Sequence, residues 1–201
     1  VSVGAMIQNV GTAFAVYQAV MKNKPLFERY TTVTGKKLAK PGNFLVRMGT
    51  PFQQLIDVCG GLPDGNNKVL SGGPMMGKAI SNLEATTVKG SSSVLYLSEA
   101  ATKRKPEGDC IRCGRCADAC PMGLEPFLLN RLYRAGDVDA LEQNAAQDCI
   151  ECGCCLYSCP ANIPLLDYIR QAKGQVMGVI KARAAAAKAA AEAAKAAAEN
   201  K

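Results

Sequence analysis

Two runs of four cysteines limit what this 201-residue chain can build: Cys110-x2-Cys113-x2-Cys116-x3-Cys120 and Cys149-x2-Cys152-x2-Cys155-x3-Cys159, each closed by a proline. They hold eight of the ten cysteines. Histidine is absent, which excludes His-ligated zinc, Rieske-type centres and histidine general bases together. The start, Val1-Ser2-Val3-Gly4, has no Met and no basic n-region, so no signal peptide is expected and the chain reads as cut from a longer one. Clustered thiols without a secretory leader favour metal binding over a disulfide framework. Zinc asks only for pairs such as Cys-x2-Cys, and two four-cysteine runs exceed that need.

Both runs match the C-x2-C-x2-C-x3-C-P pattern that holds two [4Fe–4S] clusters in bacterial ferredoxins. Three thiolates spaced two apart wrap one face of a cubane and each reaches a different iron. The fourth iron is capped from elsewhere, because the cysteine before proline points away to the other cluster. The expected ligands are Cys110, Cys113, Cys116 and Cys159 for the first cluster, and Cys149, Cys152, Cys155 and Cys120 for the second. Gly114 and Gly153 occupy equivalent places where backbone approaches cluster sulfur and φ > 0 is tolerated. Cys154 is surplus to the spacing and reads as a non-ligand.

The remainder reads as α+β. Asn9 can N-cap a helix carrying Val10, Ala13, Phe14, Tyr17 and Met21 at helical spacing, which Pro25 ends. This helix cannot bury its own apolar face, which suggests a missing partner domain. Residues 31–98 form a small unit: strand-like runs Tyr30–Thr34 and Phe44–Met48 joined through Lys40-Pro41-Gly42-Asn43, a helix on Phe52, Leu55, Ile56 and Cys59, and strands at Val69–Ser71 and Val94–Leu97. That order is β-grasp-like, with Cys59 a buried core thiol. Residues 99–109 read as a linker. Residues 110–178 are a helical cysteine unit, marked by Leu128, Leu129, Leu132, Tyr133, then Val138, Leu141 and Ala145, with Gly136-Asp137 as the break. Residues 179–201 are an Ala/Lys-rich tail, a solvated helix or spacer with Lys188–Glu192 and Lys195–Glu199 at i, i+4.

Charge is unevenly placed. Arg170 to Lys201 carries seven Lys or Arg against two Glu, whereas Asp109 to Asp167 carries four Arg against nine acids. The net charge of +7 therefore describes the tail and no nucleic-acid surface around the cysteines. Gly72-Gly73-Pro74-Met75-Met76-Gly77 could cradle phosphate, but no Lys-Ser/Thr follows, and a structural turn is the plainer reading.

In combination, Gln8-Asn9-Val10-Gly11-Thr12, Pro25-Leu26-Phe27-Glu28-Arg29, Thr32-Val33-Thr34-Gly35, Lys40-Pro41-Gly42-Asn43-Phe44, Gly49-Thr50-Pro51 and the Gly72–Gly77 turn resemble the C subunit of the Rnf (Rsx) electron transport complex. The double cysteine motif and the Ala/Lys tail fit it too. The resemblance implies an SLBB β-grasp module followed by an α-helical ferredoxin module. It implies residues 1–30 as the remnant of a flavin/NADH domain, with Asn9 and Thr12 left from the site near the flavin phosphate. It implies a peripheral protein on the cytoplasmic side of the bacterial inner membrane, with the other Rnf subunits as partners. FMN and NADH are expected only in the longer family member, because the Gly-rich loops that would bind them do not occur here. The function implied is electron transfer between a flavin domain and membrane partners of an ion-translocating NADH:ferredoxin-type oxidoreductase. A flavin/iron–sulfur cobalamin reductase of bacterial microcompartments shares the domain order and is the alternative. A third reading leaves the clusters as mere staples of the fold.

Overall fold

A computed structural model describes residues 3–63 and 68–199, with side chains through residue 192. The chain divides into two compact units, Val1–Lys103 and Arg104–Lys201.

The first unit opens with α1 (Val10–Lys22). Asn9 is extended and its Oδ1 accepts from the Gly11 N–H at 2.9 Å, a cap that stabilises a helix by about 1 kcal/mol. Asn23, left-handed at φ 50°, ends the helix before Pro25 is reached, so the terminator is the αL cap and not the proline. No residue of α1 is buried, and Phe14, Val20 and Met21 are exposed.

The sheet follows: β1 (Glu28–Gly35), β2 (Gly42–Arg47), β3 (Lys68–Ser71), β4 (Lys78–Ile80) and β5 (Ser93–Leu97), in the order β2-β1-β5-β3-β4. β1 pairs parallel with β5 and antiparallel with β2, while β3 pairs antiparallel with both its neighbours. Val94 and Tyr96 on β5 are buried two residues apart, the period of a strand with one face on a core. Between β2 and β3 lies α2 (Phe52–Val58), whose Phe52, Leu55 and Ile56 pack with Cys59, Val33, Val46, Val69, Val94 and Tyr96. This is the expected β-grasp arrangement, with Cys59 fully buried.

β4 has no counterpart in the sequence reading. The Gly72–Gly77 segment joins β3 to β4, and the Gly77 N–H donates to the Gly73 carbonyl at 2.8 Å. A Cβ on Gly77 would lie 2.4 Å from that carbonyl oxygen, so the glycine serves a tight turn. The stretch read as linker begins with a single helical turn, α3 (Glu99–Thr102).

The second unit is helical: α4 (Arg115–Asp118), α5 (Pro126–Ala135), α6 (Val138–Gln143), a 3-10 turn (Ala146–Asp148), α7 (Cys154–Ser158) and α8 (Leu165–Glu199). Gly136, left-handed at φ 73°, closes α5, and Asp137 Oδ1 accepts from the Ala140 N–H at 2.9 Å to open α6. The core gathers Leu129, Leu141, Ile163, Leu165, Ile169 and Val176.

The helical unit and the Ala/Lys-rich tail share one helix. α8 does not stop at residue 178: Ile180 packs against the core, and Arg183 donates to Glu142 at 2.7 and 2.9 Å. The docked part of the chain therefore reaches Arg183. Beyond it Lys188 and Glu192 approach to 3.9 Å, as their spacing predicts. The Lys195–Glu199 pair lies outside the described side chains.

Candidate iron–sulfur centre

Each cysteine run is a loop that turns into a short helix. Cys110 and Cys113 are exposed in irregular backbone, and Cys116 is buried within α4. In the second run Cys149 and Cys152 precede α7, and Cys155 is buried within it. The helices thus carry only the third cysteine of each run.

Backbone geometry repeats between the loops. Gly114 (φ 76°) and Gly153 (φ 82°) are the left-handed N-caps of α4 and α7. Two residues earlier, Arg112 (φ 55°) and Glu151 (φ 57°) are left-handed as well, and Gly123 (φ 66°) and Asn162 (φ 55°) each stand three residues after the fourth cysteine. Left-handed residues set among right-handed or extended ones turn successive N–H groups to one side, the concavity that holds anions and iron–sulfur groups. The Glu151 N–H already donates to Cys149 Sγ at 3.4 Å.

The cysteines gather in two fours. One cavity is lined by Cys110, Cys113, Cys116 and Cys159, with Arg112, Arg131 and Asn130 among its polar walls. The other is lined by Cys120, Cys149, Cys152 and Cys155, with Leu124, Leu129, Leu166 and Ile169. Each cavity takes three thiols from one run and the fourth from the other run. Cys154 lines neither of these two cavities. Among the described residues, no three Cys, Asp or Glu converge on a point that one ion could occupy. A cubane presents a separate iron to each thiolate, so its ligands surround a cluster and do not meet at a point. Four soft thiol donors line each cavity, the donor set that suits a [4Fe–4S] group.

Burial pushes the Cys155 thiol up to about 12, against weaker lowering by the Leu156 N–H. Burial also raises Cys116, which backbone N–H groups of Phe127 and Ala117 partly offset, and Cys149 in the same way. These thiols stay protonated until a metal displaces the proton.

Glu151 anchors the second loop. It accepts from Arg170 Nε at 2.9 Å and lies 3.7 Å from Lys173 Nζ, both on α8. Lys173 Nζ also donates to the Cys149 carbonyl at 2.6 Å. The sequence reading missed these residues and the left-handed Arg112, Glu151 and Asn162; aligning the two runs on each other is the signal that pairs them. Asn9 and Thr12 are exposed, and Asn9 Oδ1 is engaged by the Gly11 N–H.

Comparison with known proteins agrees with this layout. Residues 30–79 match the family model described as SLBB domain, and residues 102–160 match the one described as 4Fe-4S dicluster domain. The chain is 49% identical over 130 residues to the C subunit of the proton-translocating ferredoxin:NAD(+) oxidoreductase complex of Clostridium ljungdahlii, covering 65% of this chain and 28% of that protein. It is 45% identical over 173 residues to the C subunit of the ion-translocating oxidoreductase complex of Rhodobacter capsulatus, covering 86% of this chain and 33% of that one. The protein of the same name in Yersinia enterocolitica is 44% identical over 190 residues, covering 93% and 27%. The chain thus spans about a third or less of the relatives it matches.

Proposed function

We propose that this chain is the SLBB-plus-dicluster portion of the C subunit of an ion-translocating oxidoreductase complex, and that it carries electrons between a flavin domain and membrane-bound partners. The observation that supports it most is the exchange of fourth cysteines: Cys159 at the cavity of the first run and Cys120 at that of the second. Cys110, Cys113, Cys116 and Cys159 would hold one cluster, and Cys149, Cys152, Cys155 and Cys120 the other. Bound clusters supply reversible one-electron oxidation and reduction. The chain's own residues set the conditions. The left-handed loops would turn amides toward cluster sulfur, as the Glu151 N–H already turns to Cys149 Sγ, and the Leu and Ile walls would exclude water from the second cavity.

The relatives' names carry the wider assignment: a translocating complex whose other subunits are the partners. FMN and NADH would bind in the longer protein, with Asn9 and Thr12 as a remnant at the flavin site. The complex would hold the chain at the cytoplasmic face of the inner membrane, as a peripheral component. Among the described residues no helix is long and apolar enough to cross a membrane.

Iron and sulfide analysis after anaerobic reconstitution tests the centre. About eight of each per chain are expected, as two cubanes require. Stoichiometric zinc without sulfide would refute the reading.

A further inference from the structure

We propose that Arg112 and Glu151, which hold the same place in the two loops with opposite charge, make the two clusters unequal. The cluster at Cys110 then has the higher reduction potential and keeps the electron. This rests on the cluster reading above.

The two loops share their backbone at this position, φ 55° at Arg112 and φ 57° at Glu151, so the difference lies in the side chains. Arg112 lines the first cavity, is exposed, and makes no ion pair among the described residues. Arg131 lines the same cavity, likewise without a carboxylate partner. Of the acids there, Glu107 is bound by Arg134, which leaves Asp109 against two free guanidinium groups. At the second loop Glu151 puts a carboxylate where Arg112 stands, and among the described residues no charged side chain lines that cavity.

Reduction adds a negative charge to a cluster. Positive groups and water favour that charge, and an apolar wall disfavours it. At the first cavity Cys110 and Cys113 are exposed and the uncompensated charge is positive. At the second, Cys120, Cys149 and Cys152 are half-buried, the walls are aliphatic, and Glu151 lies against Arg170 and Lys173. Arg170 and Lys173 work against the asymmetry, and exclusion of water works with it. The two cavities therefore differ in exposure and in the charge that lines them, in the same direction, and the cations behind the second loop oppose it.

An EPR-monitored redox titration of the reconstituted full chain tests this. Two waves are expected, with the upper one missing in Cys110→Ala. Arg112→Gln, at an exposed position with no ion pair to lose, should lower the upper wave and leave the lower one in place; Arg112→Lys should restore it. Glu151→Gln should raise the lower wave by removing a carboxylate beside the second loop, narrowing the gap from below. Added salt should shrink the Arg112 effect. Coincident waves, an upper wave that survives Cys110→Ala, or waves unmoved by Arg112→Gln would overturn the inference while leaving the two clusters standing. A chain that binds no iron and sulfide would overturn both readings.

Discussion

Glu151 accepts a hydrogen bond from Arg170 Nε at 2.9 Å while its own backbone is left-handed at φ 57°. A conformation that costs a non-glycine residue about 1 kcal/mol is thus held by a side chain clamped to α8. The three side chains of the clamp are 23–30% exposed, so the network sits at the stronger end of surface ion pairs. Glu151→Ala should destabilise the second unit by about 1 kcal/mol, a fall of roughly 4–8 °C in Tm for a unit of this size. Glu151→Gly relieves the backbone while losing the same clamp, and should unfold nearer to the wild type. Thermal unfolding of the reconstituted chain, followed by circular dichroism, compares them; a Gly variant weaker than the Ala variant would contradict the role given to the clamp.

The tail divides at Arg183. Ending the chain after Gly178 removes Ile180 from the core and Arg183 from Glu142. The lost apolar packing should cost about 1 kcal/mol, with little from the exposed ion pair. Ending it after residue 184 should leave thermal stability unchanged, because the Ala-rich remainder presents no large apolar side chain. Equal stabilities for the two truncations would show that α8 docks no further than residue 178.

That division shows where sequence was enough. Large side chains at strand or helix period, such as Val94 and Tyr96 or Leu129 and Tyr133, announce a buried face, and the β-grasp and helical units were legible from them. Gly136-Asp137 named the break between α5 and α6 by its chemistry alone. Ile180 and Arg183 act through partners on α6 and in the core, and no local pattern in an alanine-rich stretch shows that. β4 has three residues, of which only Ile80 is a large apolar side chain, too little for an alternation. The left-handed Arg112 and Glu151 are hidden because nothing about Arg or Glu calls for φ > 0. The eight clustered cysteines, and their expected division into two crossed fours, needed only their spacing.

Cys59 and Cys154 should separate from the eight. Cys59 is fully buried among Val33, Ile56 and Val94, and Cys154 stands at the start of α7, outside both cavities. Cys59→Ser should keep full iron and sulfide while losing about 1–3 kcal/mol of stability, the cost of a hydroxyl without a partner. Cys154→Ser should keep both iron content and stability. Iron loss in the Cys154 variant would mean that it, and not Cys155, is a ligand.

Cluster loading should weaken as pH falls. Burial holds the Cys155 thiol up at about 12, and Cys116 and Cys149 are raised by the same cause. Iron binds the thiolate, so assembly releases these protons, and acid opposes it by mass action. The sign reverses for the metal-free fold, where a raised thiol favours the neutral form. That contribution is present below the ordinary thiol value of 9.0 and is lost as pH rises toward about 12. Competition with a fixed excess of iron chelator at pH 6 and pH 8 reads the first effect: retention should be greater at pH 8. Greater retention at pH 6 would contradict it.

The crossed fourth ligand is the centre of the account, and EPR of three variants tests it most directly. Cys110→Ala and Cys149→Ala each damage one cluster and so define its signal. If Cys159 completes the first cavity, as its place beside Cys116 implies, Cys159→Ala should reproduce the spectrum of Cys110→Ala, although it belongs to the same run as Cys149. A Cys159→Ala spectrum matching that of Cys149→Ala would show that each run closes its own cluster, and the crossed arrangement would be wrong.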